Sequence, residues 1–128
     1  MKCQILLVDD EKTMVKYLSK HLIKKGFDIR VAYNGLDALE LVKTADFDVV
    51  LLDVLMPGMN GIDTLKEIKK IKPWTEVIML TGHASVEAGI EGMKAGAFNY
   101  IMKPFDPNEL VAEIHLACEQ RRIKIREG

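Results

Sequence analysis

The chain has 128 residues, enough for one compact domain, and 48% of them are hydrophobic, so it can form a core without a structural metal or disulfides. The formal net charge of −1 and the pI near 6.3 give no overall basic surface, which argues against nucleic acid or a membrane surface as a direct partner. No apolar run approaches the roughly 18 residues of a membrane span, and the first residues lack a signal-peptide layout. We therefore expect a single cytoplasmic domain over residues 1–128.

Apolar runs alternate with segments of helical periodicity along the chain, which predicts five pairs of strand and helix. The run ILLVDD comes first, and the helix after it has Met14, Leu18 and Leu22 on one face. The next run, residues 29–32, is short and interrupted by Arg30, which indicates a strand at the edge of a sheet. The alternation favours an α/β fold with a parallel sheet.

The third strand, VVLLD, leads into the turn-rich loop LMPGMNG and then into a third helix with apolar residues on its inner face. The fourth helix, from about Ser85 to Lys94, has Gly89 and Gly92 in its interior, each costing roughly 1 kcal/mol relative to alanine. Two explanations remain open: the glycines soften this helix, or they allow close packing against a neighbour.

The fifth helix has a strong start signal in Asp106-Pro107-Asn108-Glu109, with a capping aspartate, a proline at the first helical position and a glutamate three residues after the cap. Basic residues at its far end either complement the helix dipole or begin a linker helix at about residues 120–128. Cys3 and Cys118 lack metal-ligand or redox spacing, so we expect two free, buried thiols in a reducing compartment.

Polar residues end four of the apolar runs. Asp9 and Asp10 end the first, Asp53 the third, Thr81 the fourth and Lys103 the fifth. Because ligands bind beyond the carboxyl ends of parallel strands, these side chains are predicted to surround one crevice. Three carboxylates there repel one another unless a cation intervenes, and Mg²⁺ is the hard divalent cation that best suits such oxygen ligands.

A formal charge count extends this prediction. Three carboxylates, one Mg²⁺ and the Lys103 ammonium sum to zero, whereas an acyl phosphate on Asp53 leaves one extra negative charge. Hydrogen bonds from Thr81 and nearby backbone N–H groups can stabilise that charge. An aspartate is ionised at neutral pH, so its attack on phosphorus needs no general base.

The sequence resembles the receiver domain of two-component response regulators over essentially its whole length. The segments VDDE, LLDVLMPGMNG, TGHAS and KPFD occur in the order and spacing of that family. The resemblance implies a flavodoxin-like doubly wound fold, with a five-stranded parallel sheet in the order 2-1-3-4-5 and five helices. The segment TGHASVEAGIEGMKAGAFNYIMKPFD is most similar to receivers attached to transcriptional activators of the sigma-54 class.

The resemblance also implies a ligand set and a donor. Asp53 is the implied phosphoacceptor, taking its phosphoryl group from a phosphohistidine on a sensor histidine kinase or a phosphotransfer protein. Asp10, Asp53 and the backbone carbonyl of Leu55 are implied Mg²⁺ ligands, and Asp9 acts through water. The domain is then no enzyme beyond its own phosphotransfer and dephosphorylation.

The resemblance further implies a switch. Thr81 and Lys103 sense the phosphoryl group, Tyr100 is an aromatic switch that follows Thr81, and the Lys103-Pro104 bond is cis. The face formed by helix 4, strand 5 and helix 5 then changes shape, and helices 4 and 5 are also the implied site of a homodimer. We expect no direct nucleic acid binding by this domain.

Leu55, Gly82 and His83 are predicted to flank the phosphoryl site. Leu55 is predicted to slow hydrolysis by excluding water, whereas His83 has the alternative of being an ordinary exposed side chain. Two rival functions remain: an interaction module that never takes phosphate, and a Mg²⁺-dependent phosphohydrolase. A hydrolase would usually have a second acid two residues after the nucleophile, where this chain has Leu55. A nucleotide site is disfavoured because no glycine-rich phosphate loop follows a strand.

Overall fold

The computed structural model describes residues 2–56, 58–82 and 86–127. Its sheet has five strands, all paired in parallel, in the order β2-β1-β3-β4-β5. The three central strands are almost entirely buried, as their Val-, Ile- and Leu-rich sequences predict. The strands are β1 Gln4–Val8, β2 Asp28–Ala32, β3 Val49–Asp53, β4 Glu76–Thr81 and β5 Asn99–Met102. The predicted fold and strand order are confirmed.

Five helices connect and follow these strands. Asn34 caps the second helix by accepting a hydrogen bond from the Asp37 N–H, and Asn60 caps the third in the same way. Gly26, just after the first helix, has a φ of 95°, a conformation that favours glycine. The helices are α1 Lys12–Lys24, α2 Gly35–Thr44, α3 Gly61–Ile71, α4 Val86–Lys94 and α5 Pro107–Glu127. Ser85, the predicted start of the fourth helix, lies outside the described residues.

The helices form a layer on each face of the sheet, because alternate strand residues point to opposite sides. One core contains residues of α2 and α3, with part of α4 packed against it, and the other contains residues of α1 and α5. In α1 the buried residues are Val15, Leu18 and Leu22, while Met14 is only half-buried. Met14 packs against the same core as Leu18 and Leu22, so the predicted face of α1 is confirmed, and Val15 belongs to it as well.

Ionic side chains lie at the edge of the sheet where the strands begin. Glu76, the first residue of β4, is only 1% exposed, and its carboxylate oxygens each accept a hydrogen bond of 3.1 Å from Lys124 of α5. Lys69 of α3 lies 3.6 Å from the same carboxylate. One turn before Lys124, Arg121 donates to Asp48 over 2.9 Å. These bonds fix the second half of α5 to the sheet.

Cys3 and Cys118 form a disulfide, so the prediction of two free thiols was wrong. Both residues are buried, as predicted, but they are 115 positions apart in the sequence. The sequence spacing hid a pairing that arises only because α5 returns along the sheet to the start of β1. The disulfide lies at the same edge as the Asp48 and Arg121 pair.

No helix in the described parts of the chain is both long enough and apolar enough to span a membrane.

Candidate functional site

The three predicted carboxylates meet at the edge of the sheet where the strands end. Asp9 follows β1, and Asp53 is the last residue of β3; they are 1% and 6% exposed, whereas Asp10 is exposed. One carboxylate oxygen from each residue lies within 4.8 Å of those of the other two. The side chains therefore form one acidic cluster, made by adjacent strands whose ends are held in register.

Lys103 brings a positive charge to this cluster. Its Nζ donates a hydrogen bond to Asp9 Oδ2 over 2.8 Å and lies 3.7 Å from Asp53 Oδ1. Its backbone N–H donates to the carbonyl of Thr81 over 2.7 Å, and the Lys103-Pro104 bond is cis, as the resemblance implied. Burial alone would lower the pKa of Lys103, but the hydrogen bond that Lys103 donates to Asp9 and the charges of Asp53 and Asp9 raise it above its ordinary value.

Asp53 is the aspartate whose ionisation is most affected. Burial, followed by the negative charge of Asp9, raises the pKa of Asp53 to about 6, while Lys103 and the Leu55 N–H oppose the rise. The carboxylate is thus mostly ionised at neutral pH, but at a cost in free energy. A cation beside Asp53 would remove part of that cost, because it would offset the charge of Asp9.

Thr81 ends β4 beside this cluster. Its side chain is fully buried, and its Oγ1 has no hydrogen-bond partner among the described residues. A buried hydroxyl without a partner costs roughly 1–3 kcal/mol, so such groups usually have a ligand or a role. The site therefore contains a hydrogen-bonding group that an incoming anion can satisfy.

The predicted flanking residues differ in what surrounds them. The Leu55 N–H makes a weak hydrogen bond of 3.4 Å to Asp53 Oδ1, and the residue is 69% exposed. A β-carbon built at Gly82 would have no atom of the described residues within 4 Å, its chain neighbours aside. His83 lies outside the described residues.

Gly61, at the start of α3, fixes that helix to the strand that bears Asp53. Its N–H donates to the carbonyl of Val54 over 2.9 Å, and a β-carbon at Gly61 would overlap the carbonyl oxygen of Asp53 and lie 2.6 Å from the Val54 Cα. Only glycine allows so close an approach of helix and strand. The sequence showed Gly61 merely as part of a turn-rich loop, and this contact was missed.

Comparison with known proteins gives the family. Residues 5–115 match the family model described as "Response regulator receiver domain". This chain belongs to the response regulator receiver domain family. The receiver domain is 40% identical, over 121 residues, to Regulatory protein AtoC of Escherichia coli (strain K12). It is also 40% identical over 121 residues to Transcriptional regulatory protein ZraR of Salmonella typhimurium.

The matched regions are 94% of the receiver domain but only 26% of AtoC and 27% of ZraR, so the chain spans about a quarter of these relatives. Solved structures match it throughout. A CheY-like receiver domain protein from Methanospirillum hungatei JF-1 has a TM-score of 0.92 and 30% identity, with 100% of both chains covered. A receiver domain protein from Clostridium thermocellum has a TM-score of 0.90 and 35% identity, covering 94% of this chain and 98% of its own.

Proposed function

We propose that this receiver domain is a switch that accepts a phosphoryl group on Asp53 from a phosphohistidine of a sensor histidine kinase or a phosphotransfer protein. A carboxylate oxygen of Asp53 attacks phosphorus, the bond between phosphorus and the imidazole nitrogen breaks, and the freed imidazole takes up a proton. Two observations support this most: Lys103 lies within the acidic cluster, and the buried hydroxyl of Thr81, at the end of the next strand, has no hydrogen-bond partner among the described residues.

The acidic cluster suits a divalent cation. Its three carboxylates and the Lys103 ammonium leave two net negative charges, and the carboxylate oxygens are close enough to share one ion. We assign Asp10, Asp53 and the backbone carbonyl of Leu55 as Mg²⁺ ligands, with Asp9 acting through water. Bound Mg²⁺ would supply positive charge beside the phosphoryl oxygens.

The protein's own groups stabilise the product. Lys103, now 3.7 Å from Asp53, provides an ammonium for a phosphoryl oxygen, and the Thr81 hydroxyl donates a hydrogen bond to another. The hydroxyl must move toward the phosphoryl group to do so, which vacates space beside it. Tyr100, on the strand next to Thr81, follows into that space, so the charge on Asp53 changes the surface formed by α4, β5 and α5.

That surface has features of a protein contact. Val86, Ile90 and Met93 of α4 are exposed and spaced so that they form one apolar stripe along the helix. We assign this stripe to a partner whose binding changes with phosphorylation, either a second copy of the domain through α4 and α5 or an output region. The name of ZraR, a transcriptional regulatory protein, suggests that the output is transcriptional. We assign that output to the sigma-54 class and the protein to the cytoplasm.

Incubation with Mg²⁺ and acetyl phosphate, followed by intact mass spectrometry, tests the proposal. We expect the mass of one phosphoryl group to be added to the native protein and to Asp63→Asn, an exposed α3 control, but not to Asp53→Ala. No labile adduct on the native protein would favour an interaction module that is not phosphorylated. Sustained release of phosphate over many turnovers would favour a phosphohydrolase.

A further inference from the structure

The ring of Tyr100 packs against Gly89, a residue without a side chain in the middle of α4. A β-carbon built at Gly89 would lie 3.0 Å from Tyr100 Cδ2, 3.1 Å from Cε2 and 3.2 Å from Cγ. Gly89 is buried and Tyr100 is half-buried. Since three atoms on one side of a rigid ring are involved, an alanine at this position requires the whole ring to shift.

Gly92, one turn later in the same helix, has different surroundings. A β-carbon there would lie 3.3 Å from Met79 Cγ and 3.6 Å from Ile62 Cδ1, with no atom of Tyr100 among the nearest three. The methionine side chain is flexible and can yield by a few tenths of an ångström. The two glycines thus weaken the helix equally but differ in what they contact, which separates the effect of helix softness from that of close packing.

We propose that Gly89 is a positioning residue for the switch: the gap left by its missing side chain holds the Tyr100 ring in the arrangement of the unphosphorylated domain. This rests on the proposed function only in the coupling of Tyr100 to Thr81. Filling the gap raises the free energy of the arrangement seen here, so the phosphorylated arrangement becomes easier to reach. Gly89 acts through Tyr100 and touches no group of the acidic cluster.

The ring position tests the first step. In ¹H–¹³C spectra of the aromatic side chains, Gly89→Ala is expected to move the Tyr100 resonances, whereas Gly92→Ala leaves them in place. Tyr17 and Tyr33 are exposed and serve as references within the same molecule. Unchanged Tyr100 resonances in Gly89→Ala would overturn the proposal, and this readout does not depend on phosphorylation.

The coupling tests the second step. Beryllium fluoride with Mg²⁺, a mimic of the phosphoryl group, should bind Gly89→Ala about three- to tenfold more tightly than the native protein, and Gly92→Ala with native affinity. In a Tyr100→Ala background the effect of Gly89→Ala should vanish, while in a Tyr100→Phe background it should remain. Equal gains in both glycine variants would show that helix softness is the cause, and weaker binding to Gly89→Ala would contradict the assigned arrangement.

Failure of the proposed function gives a different result from failure of this inference. If the native protein binds no beryllium fluoride in a manner that requires Asp53, the phosphoacceptor assignment is wrong, yet the movement of the Tyr100 resonances still decides whether Gly89 holds the ring. Thermal unfolding of both glycine variants, each expected to be folded, excludes general damage as the cause.

Discussion

Lys103 donates its hydrogen bond to Asp9, 2.8 Å away, and not to Asp53, from which it stands 3.7 Å. The ammonium therefore neutralises part of the negative charge that would attract a divalent cation to the acidic cluster. We expect Lys103→Met to bind Mg²⁺ about three- to tenfold more tightly, because about 1 kcal/mol of repulsion between the cations is lost. Isothermal titration measures this affinity.

The same variant should bind beryllium fluoride less tightly, since the ammonium that neutralises the bound anion is gone. Lys43→Met is a suitable control, because the one described partner of Lys43 is the exposed Glu40 on α2. Unchanged or weaker Mg²⁺ binding by Lys103→Met would show that the lysine does not compete with the cation.

The raised pKa of Asp53 predicts how stability depends on pH in the absence of divalent cations. Between about pH 4 and the folded pKa of about 6, the folded protein binds more protons than the unfolded one. Its stability therefore falls as pH rises through this range and stays lower above it. Asp53→Asn removes the group that titrates. The variant should therefore become more stable than the native protein over this range, by a difference in the free energy of unfolding that grows to at most about 3 kcal/mol.

Urea unfolding in EDTA at about pH 5 and about pH 7.5 measures that difference. Added Mg²⁺ should reduce the difference in stability between Asp53→Asn and the native protein, because the ion offsets the charges around Asp53. An advantage that is the same at both pH values would refute the assigned cause.

Leu55 stands two residues after Asp53 and is 69% exposed. We propose that its side chain would lie beside a phosphoryl group on Asp53. We expect Leu55→Asn to lose phosphate about two- to tenfold faster, since an amide can hold a water molecule where leucine excludes it. Decay of the phosphorylated mass after removal of the donor gives the rate. Leu36→Asn, at a position 67% exposed on α2, should decay at the native rate.

The buried carboxylate of Glu76 depends on its two lysines. Lys124→Met leaves only Lys69, at 3.6 Å, and should lower the free energy of unfolding by about 1–3 kcal/mol. Lys70→Met breaks a pair with Glu67 on the exposed side of α3 and should cost no more than about 0.5 kcal/mol. If urea midpoints fall equally in both variants, burial of Glu76 is not what makes its ion pair important.

The disulfide between Cys3 and Cys118 closes almost the entire chain into a loop, with a sequence separation of 115. Cross-links that close long loops restrict the unfolded chain most, so dithiothreitol should lower the free energy of unfolding by about 2–5 kcal/mol. The double variant with alanine at both positions should be as unstable as the reduced protein and insensitive to the reductant. A native protein equally insensitive would argue against a stabilising cross-link.

The sequence predicted the features that depend on residues close together in the chain. The strand ends at Asp53 and Thr81 each depend on neighbours within a few positions, and both lie where the pattern placed them. Parallel strand order then brought the polar ends together, as expected for an open α/β sheet.

The features that the sequence did not reveal depend on contacts between distant segments. Glu76 meets Lys124 and Cys3 meets Cys118 only after α5 has packed across the sheet, and no periodicity records either pairing. Gly89 was recognised as unusual in a helix, but its explanation needed the position of the Tyr100 ring, which is on the next strand. The local sequence pattern thus predicted the cluster of polar strand ends, whereas the contacts around it became visible only in the folded structure.

The absence of a side chain at Gly61 makes the two sides of the acidic cluster mechanically unequal. On that side the backbone of α3 rests on the peptide of Asp53 and Val54, and the Gly61 N–H donates a hydrogen bond to the Val54 carbonyl. On the other side, α4 meets β5 through the ring of Tyr100, which lies against Gly89. A structural change at Asp53 therefore meets a close backbone contact on the α3 side and a side chain that can shift on the α4 side. The backbone at residue 61 thus helps determine the direction in which the domain deforms.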